Sequence, residues 1–208
     1  MRAILQYRTL MIVVPENVEC QYCSNNVDRR GHHHLICSGT DCLYHSRHKL
    51  LVEAFDSVAR VGSFNPVMNA KVTCLGTSGS GGVHHFRPAD ILIAGDNSSQ
   101  VAVDVTVTDS DANEAARNKV LKHEESCVAA GYEFAPFAMD TRGLLDQAGV
   151  YLLQRIASAY GQNQGKSYSE SISIIRKRIS CALFKGIAQQ LQRARSGLVL
   201  EEDIVEFL

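Results

Sequence analysis

The spacing of apolar positions changes period along the chain, and each change marks an element. Between Arg47 and Val61, Leu50, Leu51, Ala54, Phe55 and Val58 recur at helical spacing. Residues 62–86 carry Gly62, Gly76, Gly79, Gly81 and Gly82, which predicts a loop or a strand pair with a flexible tip. Ala89–Ala94 and Val101–Thr108 then read as two strands, the second rich in β-branched residues, joined by the polar turn Gly95-Asp96-Asn97-Ser98-Ser99. Asp111–Ala130 returns to helical spacing, with Ala115, Ala116, Val120, Cys127 and Val128 as the inner face and Gly131 as the stop. Phe134–Met139 is a short apolar strand in which Pro136 indicates an edge or a bulge. Helices follow over about 144–160 and about 169–195, separated by the loop GQNQGKS. The order of these elements predicts an α/β fold, a mixed sheet with helices packed against it.

Residues 1–19 are a lead-in whose mixed pattern fits a strand or a short helix. The next stretch breaks the pattern altogether. Residues 20–48 hold Cys20, Cys23, His32, His33, His34, Cys37, Cys42, His45 and His48, with too little apolar material for a core. Two parts are therefore expected: a lead-in with a metal module over 1–46, and the α/β domain over 47–208.

Composition narrows the classes. The 208 residues are 45% hydrophobic and 21% charged, as in a globular protein, and the net charge of −1 gives no overall attraction to nucleic acid. Residues 176–195 nevertheless carry Arg176, Lys177, Arg178, Lys185, Arg193 and Arg195 without an acid, which makes either a basic face or a solvated helix surface. No apolar run reaches membrane-spanning length, so no membrane partner is expected, and the N-terminus lacks a signal-peptide layout. Seven cysteines is an odd number. A reducing, intracellular setting with metal-ligating thiols fits it better than a disulfide framework.

Cys20-x2-Cys23 is the spacing at which a tight turn aims two thiolates at one ion, and His33 with Cys37 can complete a tetrahedral zinc site. His32, His34, Cys42 and His45 compete for the same role, and free thiols with surface histidines are the alternative. Four available ligands favour a closed, structural Zn²⁺ site over a catalytic one.

The second chemical feature is acidic. Asp90 opens the first strand of the hairpin and Asp104 interrupts the second, so a shared face would bring two carboxylates to one hard divalent cation. Phosphodiester hydrolysis needs such carboxylates on Mg²⁺, together with a lysine that orients water or offsets phosphate charge. Two residues after Asp104, where a lysine would be expected, stands Thr106. Lys119 on the following helix is the substitute, and Glu53 on the preceding helix can add a third carboxylate. The competing reading is strand-end and turn chemistry.

Taken together, C-x2-C, G-x-H-x3-C, R-H-x4-E, R-P-A-D, V-D-V-T-V-T, A-x2-K-x3-H-x3-C-x3-G-x2-F-x-P-F and D-T-R-G resemble one group of nucleases. These are the PD-(D/E)XK, or restriction-like, endonuclease domains at the C-terminal end of some site-specific non-LTR retrotransposon proteins and related reverse-transcriptase-like genes. The resemblance covers about residues 20–195. It implies a restriction-endonuclease-like sheet behind a CCHC zinc element at Cys20, Cys23, His33 and Cys37. It also implies Mg²⁺ or Mn²⁺ on Asp90 and Asp104, a displaced catalytic lysine at Lys119 and an accessory acid at Glu53. Asp140-Thr141-Arg142-Gly143 stands where the family has an E-T-G-like element, as a structural acid or one that shapes the cleft. In place of the family's P-D the chain has Pro88-Ala89-Asp90, one residue longer. The implied activity is nicking of double-stranded DNA in the nucleus, with a reverse-transcriptase domain as partner and a homodimer as one assembly. A catalytically inactive nuclease fold kept for nucleic-acid binding or assembly, and a zinc-stabilised interaction protein, are the alternatives.

Overall fold

The computed structural model describes residues 19–20, 22–37, 39, 41–69, 72–75, 83–86, 89–94 and 99–196. Side chains at 41–43, 72–75, 83–86 and 193–196 lie outside that description. Among these residues five helices, α1 (His32–Ile36), α2 (Asp41–Val61), α3 (Ala112–Ala129), α4 (Gln147–Gln164) and α5 (Tyr168–Ser196), accompany six strands. The strands are β1 (Val67–Met68), β2 (Val72–Leu75), β3 (Val83–Phe86), β4 (Ile91–Ala94), β5 (Gln100–Thr108) and β6 (Glu133–Asp140). The residues group into two compact units, one of 1–47 with 184–208 and one of 48–183.

In the larger unit, four strands pair in the order β1-β4-β5-β6. β4 and β5 are antiparallel, with Ile91 opposite Val103, and form the predicted hairpin. Its turn residues 95–98 lie outside the described residues. β5 and β6 are parallel, joined by α3 as the crossover that a parallel pair requires. β6 is an edge strand, which suits Pro136 because it has no N–H to donate to a further neighbour. Within 62–86 the structure forms β1, on the main sheet, and a separate antiparallel pair of β2 with β3; the glycine-rich tip between them is not described.

β5 is the central strand, and from Val101 to Val105 every residue is buried. Its odd positions share a face with Phe137 of β6, whose ring meets Phe55 of α2 edge-on at 4.9 Å, a contact worth about 1 kcal/mol beyond area burial. The even positions share a face with Ala138, which packs on Ala112 and Ala116 of α3. Small residues on both sides let α3 lie close to the sheet. The inner face of α3 is therefore Ala112, Ala116 and Cys127, while Val128, expected inside, is 62% exposed.

α4 starts at Asp146, whose buried carboxylate takes the N–H groups of Ala148 and Gly149 in the helix and of Ala138 in β6. It runs on to Gln164, through residues expected as loop, because Gly161 allows a close approach. A Cβ there would lie 2.9 Å from both Lys166 O and Ser171 Oγ. Gly165, at φ 61°, then ends the helix in the left-handed conformation that glycine tolerates. α5 begins at Ser167 and Glu170, which cap each other's backbone N–H groups, and Ile175, Ile179 and Leu183 form its buried stripe in this unit. No helix among the described residues is long and apolar enough to cross a membrane.

Candidate functional site

In the smaller unit, the chain turns sharply between Cys20 and Ser24. Ser24 N–H donates to Cys20 O at 2.8 Å, Cys20 N–H donates to Asn25 O at 2.8 Å, and Ser24 takes φ 56°. His33 lies on the five-residue α1, and Cys37 caps that helix. Asp28 fixes the helix start by accepting the N–H groups of Arg30, His32 and His33 at 3.0, 3.1 and 2.6 Å. Burial opposes its ionisation, but these donors hold the Asp28 carboxyl below its ordinary value.

The turn and the helix bring Cys20, Cys23, His33 and Cys37 together, with all four ligand atoms within 4.8 Å of one another. Cys20 Sγ lies 3.7 Å from Cys37 Sγ, and Cys23 Sγ lies 3.3 Å from His33 Nε2. Zn–S bonds of about 2.3 Å at tetrahedral angles imply an S–S edge of about 3.8 Å, so the sulfur pair has the spacing of a zinc tetrahedron. The Asn25 N–H holds the Cys23 thiol below its ordinary value, whereas burial and its neighbouring thiols push Cys37 up to about 11. A divalent cation would remove the conflict between crowded sulfurs by stabilising their thiolates together. This Cys3His cluster can hold a metal ion such as zinc. Of the competing ligands, His45 is exposed, His34 is buried without a hydrogen bond among the described residues, and the Cys42 side chain is not described.

The two aspartates stand on neighbouring strands of the larger unit, at the open end of the hairpin. Beyond the last rung, Ile91 with Val103, Asp90 N–H donates to Val103 O at 3.0 Å. The Asp90 carboxylate reaches across to β5, where its Oδ2 accepts the Val105 N–H at 2.8 Å. Asp104, the neighbouring residue on β5, is 7% exposed and lies on the α3 face. From α3, Lys119 Nζ reaches Asp104 Oδ2 at 2.9 Å, and His123 Nε2 stands 3.8 Å from the same oxygen. Lys119 and His123 follow Ala112 and Ala116 along the inner face of the helix. Thr106 shares the face of Asp104, so the lysine missing from the strand is met from the helix above it.

The two carboxylates are tuned apart. Burial resists ionisation of Asp90, but His48, the Val105 N–H and the Lys119 charge outweigh it and hold Asp90 below its ordinary value. Burial, reinforced by the charge of Asp90, lifts Asp104 above its ordinary value against the pull of Lys119 and His123. The hydrogen bond to Asp90 raises His48, and burial lowers His123. Opposed shifts in adjoining carboxyls are characteristic of sites that handle charge. The contacts on both carboxylates gather at Oδ2: His48 and the Val105 N–H on Asp90, Lys119 and His123 on Asp104.

Glu53 is not part of this group. It is exposed, and its carboxylate is 3.7 Å from Lys49 one turn earlier on α2. His48 is the residue that α2 contributes, with Nε2 3.1 Å from Asp90 Oδ2 and 3.0 Å from Val105 O. Five residues separate His48 from Glu53, about 140° around a helix, so only one of them can face the acids. The signal for His48 was present in the sequence, since it precedes Leu51, Phe55 and Val58 at core-face spacing. Asp140 has a structural role in the geometry: its Oδ1 accepts the Arg142 and Leu144 N–H groups, and Arg142 Nε pairs with Oδ2 at 3.2 Å. No protein-family model matches this chain, and no curated protein does.

Proposed function

We propose that the protein is a metal-dependent DNA endonuclease with a restriction-endonuclease-like core, nicking duplex DNA as the resemblance to retroelement nuclease domains implies. The observation that carries this reading is the Lys119–Asp104 contact of 2.9 Å beside Asp90. It joins an acid of β5 to a lysine of α3, while Asp90 bonds the next residue of the same strand through the Val105 N–H. Asp90 and Asp104 would hold Mg²⁺ or Mn²⁺, since carboxylate oxygens are the hard donors such ions take. Once bound, the ion supplies Lewis-acid charge to the scissile phosphate.

The chain's own residues do the rest. Lys119, anchored on Asp104, sets a positive charge where a phosphate would gain negative charge, and its ammonium can orient the attacking water. That water forms a bond to phosphorus, the P–O3′ bond breaks, and the products are a 5′-phosphate and a 3′-hydroxyl. His123 backs the Asp104 carboxylate from the same helix. Exposed Arg176, Lys177 and Arg178 offer sequence-independent phosphate contacts. The zinc cluster holds its own segment in shape.

Supercoiled plasmid incubated with the zinc-loaded protein and Mg²⁺ or Mn²⁺ tests the reading. The wild type should convert plasmid to the nicked circle, EDTA should stop it, and Asp104→Ala should lose it. No metal-dependent cleavage of duplex, branched or single-stranded substrates would overturn the enzyme reading. It would leave the inactive nucleic-acid-binding module, which is favoured by one observation, that Lys119 and His48 already engage both acids.

A further inference from the structure

We infer that His48 is a positioning residue for the cation seat, holding Asp90 so that Oδ1 faces the ion. The inference rests on Asp90 and Asp104 being the cation ligands. Its first support is a tautomer. His48 Nε2 lies 3.0 Å from Val105 O, and a carbonyl oxygen only accepts, so Nε2 carries a hydrogen. The same N–H points at Asp90 Oδ2, 3.1 Å away.

Val105 closes the arrangement. Its C=O orients the imidazole, and its N–H donates to Asp90 Oδ2 at 2.8 Å. Both donors therefore converge on one oxygen. The two oxygens of a carboxylate are equivalent, so what these donors fix is the rotation about the Cβ–Cγ bond of Asp90, with one oxygen held at His48 and Val105 and the other turned away from them. Oδ1 is the oxygen turned away from both donors, and on Asp104 Lys119 likewise takes Oδ2. With its hydrogen committed to two acceptors, Nε2 is not a metal ligand; His48 acts on the ion through Asp90.

The ring stands on rigid backing. Leu51 and Phe55, three and seven residues further along α2, are both 0% exposed in the core. Loss of a partner that orients a metal ligand typically costs 10–100-fold in metal affinity.

Mn²⁺ binding to the zinc-loaded 208-residue chain without DNA tests the inference separately from cleavage. Calorimetry or Mn²⁺ resonance would compare wild type, Asp104→Asn, His48→Ala and His48→Gln, in which the glutamine amide can replace the Nε2–H. The expected result is about 10–100-fold weaker binding in His48→Ala, recovered to within a few-fold by His48→Gln. Equal affinity in His48→Ala and wild type, or an equal loss in both variants, overturns the role of His48. Mn²⁺ binding that ignores Asp104→Asn overturns the seat itself and the role with it. Should His48→Ala fail to fold, ¹⁵N spectra of the wild-type histidines decide: Nε2 of His48 stays protonated on saturation with Mg²⁺, and its deprotonation overturns the inference.

Discussion

At the scale of single residues the account turns on Lys119. Its side chain is 30% exposed, so removing its charge leaves the core packing intact. Lys119→Gln should therefore lower the nicking rate by about 10²–10³-fold, the usual cost of one electrostatic stabiliser, with thermal unfolding little changed. A rate within a few-fold of wild type would remove Lys119 from the chemistry. Much of this cluster was legible in the sequence. Asp90 and Asp104 flank a hairpin, and Lys119 follows Ala112 and Ala116 on the inner stripe of α3. Glu53 is exposed and paired with Lys49, and a motif fixes spacing but not the helix rotation that decides which side chain reaches a site. Leu51 and Phe55 set that rotation on α2, and they turn His48 towards Asp90. Asp146 illustrates a second limit. Nothing in its sequence context shows that its carboxylate bonds β6 as well as capping α4. Asp146→Ala leaves a buried N–H unmet and removes a cap, and should cost about 2–4 kcal/mol in urea unfolding.

At the scale of elements, the hairpin, the crossover helix α3 and the edge strand β6 followed from periodicity and turn residues. The extension of α4 through Gly161 did not, since glycine reads as a break and only tertiary contact shows the gap it fills. The start of α5 carries its own test. Ser167 hydrogen-bonds Glu170 and holds its carboxyl below the ordinary value. A carboxyl whose folded value is depressed stabilises the fold above its unfolded value, and that contribution fades as pH falls through the folded one. The difference in melting temperature between wild type and Glu170→Gln should accordingly be present near neutral pH and fade as pH falls below the ordinary carboxylate range. A difference independent of pH would mean that the cap does not depend on the charge.

At the scale of the whole molecule, two chemically unlike clusters divide between two compact units. Soft sulfur donors gather in the smaller and hard carboxylates in the larger, so a thiophilic cation and a hard one would be sorted by ligand type alone. The segment around Cys20–Cys37 has a minimal core, Val27, His34 and Leu35, so its order should depend on the metal. Removing zinc by chelation, or weakening the cluster with Cys23→Ser, should speed hydrogen exchange over 19–37 and leave β5 and α3 protected. Stoichiometric zinc and unchanged exchange in Cys23→Ser would refute the ligand set. The sequence pointed to these four ligands through spacing. It did not reveal that 184–208 would group with the zinc segment, because pairing between distant segments leaves no local pattern.

The most direct measurement is a crystal of the protein soaked in Mn²⁺, with the anomalous signal mapped around the hairpin. The expected result is a peak bonded to Oδ1 of Asp90 and Oδ1 of Asp104, with Lys119 beside it and His48 on the far side of Asp90. Full occupancy of Mn²⁺ elsewhere, or no peak at these carboxylates at millimolar Mn²⁺, would contradict it.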